Sequence, residues 1–207
     1  YTVDFLSKKM AKNEGQLEQI WVKDDHEAII PKEYWNVVQL ELDRREQFLR
    51  DYGLRTNGRY TDEQPFSTKV FCSNCNRLYR RRTLPRLNTS YSIVWMCTSY
   101  YDKKGVPGCG NFKLKEIDLH RVFLEALNSI LTDKETYMPI WHKAIADSDI
   151  DPLRAFRSKQ MMELAEHAPY TTFEAALVNK TLQRCEVNCN RTIDFFFLDG
   201  SSKQAQL

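Results

Sequence analysis

Four cysteines constrain this chain more than any other feature. Cys72 and Cys75 form a C-x-x-C pair, Cys97 follows after 21 residues, and Cys109 after 11 more. A C-x-x-C knuckle lets two thiolates reach one metal while nearby backbone N–H groups donate to the sulfurs. Four thiolates suit tetrahedral Zn2+, with Zn–S distances of about 2.3 Å. Strand-like residues occupy 68–71, 78–82 and 92–97, before the pair, after it and leading into Cys97. The spacing therefore predicts a zinc ribbon, two hairpins pinned at one end by the metal. With all four positions filled by cysteine the site is coordinatively closed, so its role is structural. A segment this polar buries too little surface to fold alone, and the metal would supply the missing stability.

The rival readings of the cysteines are a redox C-x-x-C or free thiols. A redox motif belongs at a helix N-terminus after a strand. No such context is visible, and that reading leaves Cys97 and Cys109 unexplained. Clustered metal-type cysteines favour a reducing, intracellular compartment over a secreted disulfide scaffold. Cys185 and Cys189 stand at i and i+4 after a helical pattern and are read as buried structural cysteines rather than a second half-site.

The formal net charge is +2, but it is a cancellation. Residues 69–115 carry ten cations (Lys69, Arg77, Arg80, Arg81, Arg82, Arg86, Lys103, Lys104, Lys113, Lys115) against Asp102 alone, about +9, which leaves about −7 for the rest. Tyr79, Tyr91, Trp95, Tyr100 and Tyr101 are interleaved with them. Strand alternation puts Arg80 and Arg82 on one face and Arg81 on the other. A two-stranded ribbon fits the DNA major groove, where arginine can bind guanine through two hydrogen bonds. Arg44, Arg45 and Arg50 near a helix end, and Arg55 and Arg59 in the segment after it, extend the basic run toward phosphates. The bland alternative is a solvated basic face.

The remaining chain reads as α+β. A hairpin is expected around Gly15, with Ile20-Trp21-Val22 strand-like and Asp24-Asp25 a turn. Pro31 opens a helix to Tyr52, and Gly53 stops it. Residues 54–67 lack any period and read as a linker, punctuated by Asn57-Gly58 and Pro65. Helices are expected at 116–131, 134–146, 152–167 and 172–184, then a closing strand at 192–198 with an Asp199-Gly200 turn.

Several functions lack their signatures. Only 7 of 207 residues are Gly and no phosphate-cradling glycine motif is present. No apolar run approaches the roughly 18 residues of a membrane helix. His26, His120, His142 and His167 are scattered without a catalytic partner. Asp147-x-Asp149-x-Asp151 resembles the start of a calcium loop, but Pro152 and Ser158 stand where Gly and Glu belong. Asp151-Pro152 reads instead as a helix cap.

The chain resembles the large serine recombinases. Tyr1-Thr2-Val3-Asp4-Phe5-Leu6-Ser7-Lys8-Lys9 and Lys12-Asn13-Glu14-Gly15 look like the middle of their recombinase domain. The run from His26 through Glu27-Ala28-Ile29-Ile30-Pro31 to Trp35, then Val38-Gln39 and Arg44-Arg45, looks like its end. The Cys72 to Cys109 set with Trp95-x-Cys97 resembles the zinc β-ribbon domain, and 192–200 its closing strand. The resemblance implies an α+β chain with a truncated recombinase-domain tail (1–53), a linker (54–67) and a zinc β-ribbon domain with a helical annex (68–207). It implies a DNA-binding fragment of a site-specific integrase or transposase, bacterial and cytoplasmic, that acts on double-stranded DNA as a dimer or tetramer of the full protein. The nucleophilic serine belongs to an N-terminal domain, so no catalytic residue is expected here. One structural Zn2+ would be held by Cys72, Cys75, Cys97 and Cys109. The DNA contacts would be Arg44, Arg45, Arg55, Arg59, Lys69, Arg77, Arg80, Arg81, Arg82, Arg86, Lys103 and Lys104. Family members often carry a long coiled coil in the zinc domain that controls direction, and 132–170 is too short and irregular for one. The alternatives are a zinc-ribbon module for protein–protein interaction and, more remotely, a self-sufficient metal nuclease.

Overall fold

The structure is a computed structural model that describes residues 1–20, 22, 27–54, 63–85, 91–101, 106 and 108–207. These form two compact units, Tyr1–Asn36 and Val37–Leu207. Every buried residue among those described lies in the second.

In the first unit, strands β1 (Thr2–Asp4) and β2 (Lys9–Met10) pair antiparallel. Asp4 sets the turn: its carboxylate accepts from the backbone N–H of Leu6 at 3.0 Å and from Ser7 N–H and Oγ at 3.3 and 2.5 Å. This is an Asx-type turn, in which a short carboxylate substitutes for backbone pairing. The hairpin therefore falls earlier than expected. Gly15 sits instead in a loop folded by Asn13, whose Oδ1 accepts from the Gly15 and Leu17 N–H groups. Ile20 and Val22 carry no strand. The expected strand residue Trp21 and the Asp24-Asp25 turn lie outside the described residues.

Helix α1 (Lys32–Asp51) opens behind Pro31, whose carbonyl accepts from Trp35 N–H at 3.1 Å. It ends at Gly53, which takes a φ of 61° while its N–H donates to Arg50 and that of Leu54 to Leu49. A left-handed residue after the last turn satisfies carbonyls the helix would otherwise orphan.

The second unit is built on helix α2 (Glu116–Thr132). Its buried residues, Leu119, Val122, Phe123, Ala126, Leu127, Ile130 and Leu131, recur at three and four. That spacing makes one apolar stripe. The stripe covers a four-stranded sheet of order β3-β7-β8-β9, with β3 Val70–Cys72, β7 Leu182–Val187, β8 Thr192–Phe197 and β9 Ser202–Gln206. Ile193, Phe195 and Phe197 alternate inward along β8, and Phe123 packs its ring on the latter two. Helices α3 (Lys134–Ala146) and α4 (Pro152–Glu166) form a hairpin beside α2. Asp133 and Asp151 cap them by accepting from Thr136 and Arg154 N–H, so Asp151 is a cap rather than a calcium ligand. Trp141 Nε1 donates to Asp199 in the β8–β9 turn at 2.8 Å, tying α3 to the sheet.

Three expectations are corrected. The helix expected over 172–184 is shorter, α5 Ala175–Thr181, and gives way to strand β7. Leu177, Val178, Thr181 and Leu182 mimic a helical period, but pairing with β3 and β8 on both sides makes 182–187 a strand. Cys185 is accordingly buried on β7, whereas Cys189 is exposed. Strand β3 pairs parallel with β7, Val70 against Cys185, and also bridges antiparallel to the start of the ribbon, Phe71 against Leu78, with Cys72 N–H donating to Arg77 C=O at 2.9 Å. The linker expectation also ends early, because Phe66 is fully buried, its ring against Trp95, His120, Phe123 and Phe173. Burying one such ring is worth about 1.5–3 kcal/mol. Among the described residues no helix is long and apolar enough to cross a membrane.

Candidate metal centre and basic ribbon

A second sheet, of order β4-β5-β6, holds the ribbon: β4 Tyr79–Pro85, β5 Tyr91–Cys97 and β6 Leu114–Lys115. The four clustered cysteines lie where the two sheets meet. Cys72 ends β3 of the larger sheet and Cys97 ends β5 of the ribbon. Cys75 comes from the turn after β3, and Cys109 from the loop before β6. The turn closes by Asn76 N–H donating to Cys72 C=O at 2.8 Å, with Asn76 at a φ of 55°.

The four sulfurs lie within 4.8 Å of one another, with Cys72–Cys109 and Cys75–Cys97 each at 3.4 Å. A ZnS4 tetrahedron with Zn–S of about 2.3 Å has sulfurs about 3.8 Å apart, so the donor set fits zinc. N–H donors surround it: Ser99 N–H to Cys97, Asn74 Nδ2 to Cys109 and Asn111 Nδ2 to Cys72, at 3.2–3.5 Å. Such donors orient thiolates and offset their charge. Asn111 is buried and its Nδ2 also donates to Val187 C=O at 2.8 Å, so one amide bridges a cysteine to β7. Burial opposes ionisation of Cys109, but hydrogen bonds from Cys75, Cys72, the Asn111 backbone and Asn74 hold its thiol down to about 7.

The ribbon register distributes the cations. Arg81 faces Trp95 across the β4–β5 pair, while Arg80 faces Met96 and Arg82 faces Val94. Arg81 turns toward the body and forms a two-pronged ion pair with Glu116, Nε–Oε1 at 2.7 Å and Nη2–Oε2 at 3.0 Å. Arg80 and Arg82 are exposed on the opposite face. Lys115 pairs with Val94 across β5 and β6 and therefore shares the face of Arg82. Sequence reasoning did not select Lys115 as a contact, because only cross-strand register reveals which face it occupies. Tyr79 and Trp95 are buried, so these two of the interleaved aromatics are core; the Tyr79 hydroxyl donates to Phe112 C=O at 3.1 Å.

The other selected cations separate. Arg77 is exposed beside the cysteine turn. Arg44 and Arg45 are engaged with Glu41, and Lys69 is 5% exposed with Nζ donating to Val178 C=O at 3.1 Å. Arg55, Arg59, Arg86, Lys103 and Lys104 lie outside the described residues.

Residues 65–128 match the family described as the recombinase zinc beta ribbon domain. A structure of a large serine recombinase (LSR)–DNA complex shares the fold at a TM-score of 0.50 and 16% identity, over 86% of this chain and 68% of that one. A structure concerned with the sequence requirements of the Listeria innocua prophage attP site matches at a TM-score of 0.41 and 13% identity, over 85% of this chain and 58% of that one. No curated protein matches this sequence.

Proposed function

We propose, for a chain that carries a recombinase zinc β-ribbon on the fold of a large serine recombinase's C-terminal part, that it is the DNA-holding region of such an enzyme and reads attachment or element-end DNA. The observation that carries the reading is the ribbon register: Arg80, Arg82 and Lys115, all exposed, share the face opposite Arg81. A two-stranded ribbon with arginines on one face suits the major groove, where guanidinium forks meet guanine edges and ammonium groups meet phosphates. Arg77 adds an exposed cation at the metal end. Arg81 holds the ribbon to α2 through Glu116 and orients its neighbours rather than reaching bases. Cys72, Cys75, Cys97 and Cys109 hold one structural Zn2+ that fixes where the ribbon starts and does no chemistry. Strand cleavage belongs to a serine-bearing domain of the parent protein, which acts as an oligomer on DNA in the bacterial cytoplasm.

The test is a titration of the chain with element-end duplex and with scrambled duplex at several salt concentrations. Preference for the former, with affinity falling steeply as salt rises, is expected. Replacing Arg80 and Arg82 with Glu is expected to cut affinity at least 100-fold with zinc content unchanged. Retained affinity in that double variant, or binding blind to both sequence and salt, overturns the reading in favour of a protein-interaction module.

A further inference from the structure

Asn111 lies in the loop between Cys109 and β6 and is 2% exposed. Its Oδ1 accepts from Phe112 N–H at 2.9 Å. Its Nδ2 donates to Val187 C=O at 2.8 Å and to the Cys72 sulfur at 3.2 Å. A backbone N–H can only donate and a backbone carbonyl can only accept. The amide therefore has one orientation, and its second N–H is left facing the sulfur. The Val187 carbonyl, at the end of β7, also accepts from the Ser73 N–H and Oγ, each at 3.2 Å. One carbonyl of the four-stranded sheet thus holds the residue after Cys72 and the residue two beyond Cys109. Those are two cysteines whose sulfurs approach to 3.4 Å.

We propose that Asn111 is the positioning residue through which the four-stranded sheet sets how tightly the cysteines hold Zn2+, an inference that rests on the zinc assignment above. A metal-bound thiolate keeps lone pairs that an N–H donor stabilises, and donors held in a fixed orientation orient the ligand and tune its grip on the metal. Asn111 meets that condition: Val187 and Phe112 lock its amide, and at this depth solvent does not take over the bond to sulfur. The other sulfur donors differ. Asn74 reaches Cys109 at the longer 3.5 Å and is exposed, so water can replace it. Ser99 N–H serves Cys97 from two residues away and belongs to the same loop. Asn111 instead ties a sulfur to β7, a strand contributed from far along the chain.

The experiment measures the zinc dissociation constant of the full chain by competition with a chromophoric chelator, and the absorption spectrum of the cobalt-substituted chain. Wild type is compared with Asn111→Leu, Asn111→Ala and Asn74→Ala. Leu fills the space of the amide and Ala leaves room for water, so a loss shared by both traces to the missing N–H and not to packing. Both are expected to weaken zinc about 10–100-fold. Both should also move the sulfur-to-cobalt charge-transfer band to lower energy, because a thiolate without its donor gives up an electron more readily. A residue that only held the loop in place would leave the band where it is. Asn74→Ala is expected to change both readings far less. Unchanged affinity in both Asn111 variants, a loss in Asn111→Leu alone, an unmoved band, or an equal loss in Asn74→Ala overturns the inference while the zinc assignment stands. A wild-type chain that takes up no zinc overturns that assignment and the inference with it.

Discussion

The two sheets of the second unit are held together by different physics. The four-stranded sheet buries Val70, Leu182, Cys185, Val187, Ile193, Phe195 and Phe197 against α2 and its neighbours. The three-stranded ribbon buries little beyond Tyr79, Val94, Trp95, Cys97 and Leu114, and much of its surface is charged. Apolar area stabilises the first. The second has too little of it, and the four cysteines grouped at metal-binding distance come from both sheets. The ribbon is therefore free to carry cations on its outer face, because its stability does not depend on what those residues bury.

That contrast can be broken at several points. The largest effect is expected from metal removal by a strong chelator, since structural zinc contributes on the order of 10 kcal/mol to small domains. Hydrogen exchange should rise throughout β4 and β5 while α2 stays protected; uniform loss of protection would mean the sheets are one cooperative unit. Next, Phe123→Ala should destabilise the body by about 3–5 kcal/mol in urea, the cost of deleting a buried ring. A smaller loss would place the body's stability elsewhere.

Glu41→Gln should cost about 3 kcal/mol, because it removes the one carboxylate charge that Arg44, Arg45 and Arg157 share at a largely buried position. Burial alone would raise the Glu41 carboxyl, but hydrogen bonds and charge from Arg44, with Arg45 and Arg157 adding to them, hold it at about 2, below the ordinary 4.5. A depressed carboxyl contributes stability that is full above pH 4.5 and lost as pH falls toward 2. The difference between wild type and Glu41→Gln in urea should therefore shrink across that window; a constant difference would show that the carboxylate is not what matters. The smallest effect is expected for Arg81→Gln, about 1 kcal/mol for a half-buried ion pair. Its loss of DNA affinity should be well below that of Arg80→Gln or Arg82→Gln, and an equal loss would dissolve the distinction between the two ribbon faces.

Much of this was legible because local chemistry decides it. Pro31 and Gly53 bracket α1, Asp151 caps α4, and alternation separates Arg81 from Arg80 and Arg82. The cysteine spacing pointed to a cluster that the fold brings together. What escaped was non-local. Strand β7 reads as a helix until β3 and β8 flank it, and β9, Ser-Lys-Gln-Ala-Gln, has no apolar period because it is an edge strand. The first hairpin was misplaced because a carboxylate at Asp4 outweighs a glycine at 15 in setting the turn. Lys115 and Asn111 owe their places to register and to a loop, neither of which spacing reports.

The parallel pairing of Val70 with Cys185 has a consequence for the order of assembly. The polypeptide emerges from its N-terminus, so all four clustered thiols are exposed before the strand that seats Cys72 has been made. Closing so long a loop is slow and entropically costly. Any ion captured early is gripped by a ribbon still lacking its neighbour, and Asn111 gains its Val187 acceptor only when β7 arrives. The surroundings of the cysteine cluster are thus finished by the last third of the chain, which makes synthesis of the distal strands, rather than of the cysteines, the step that completes them.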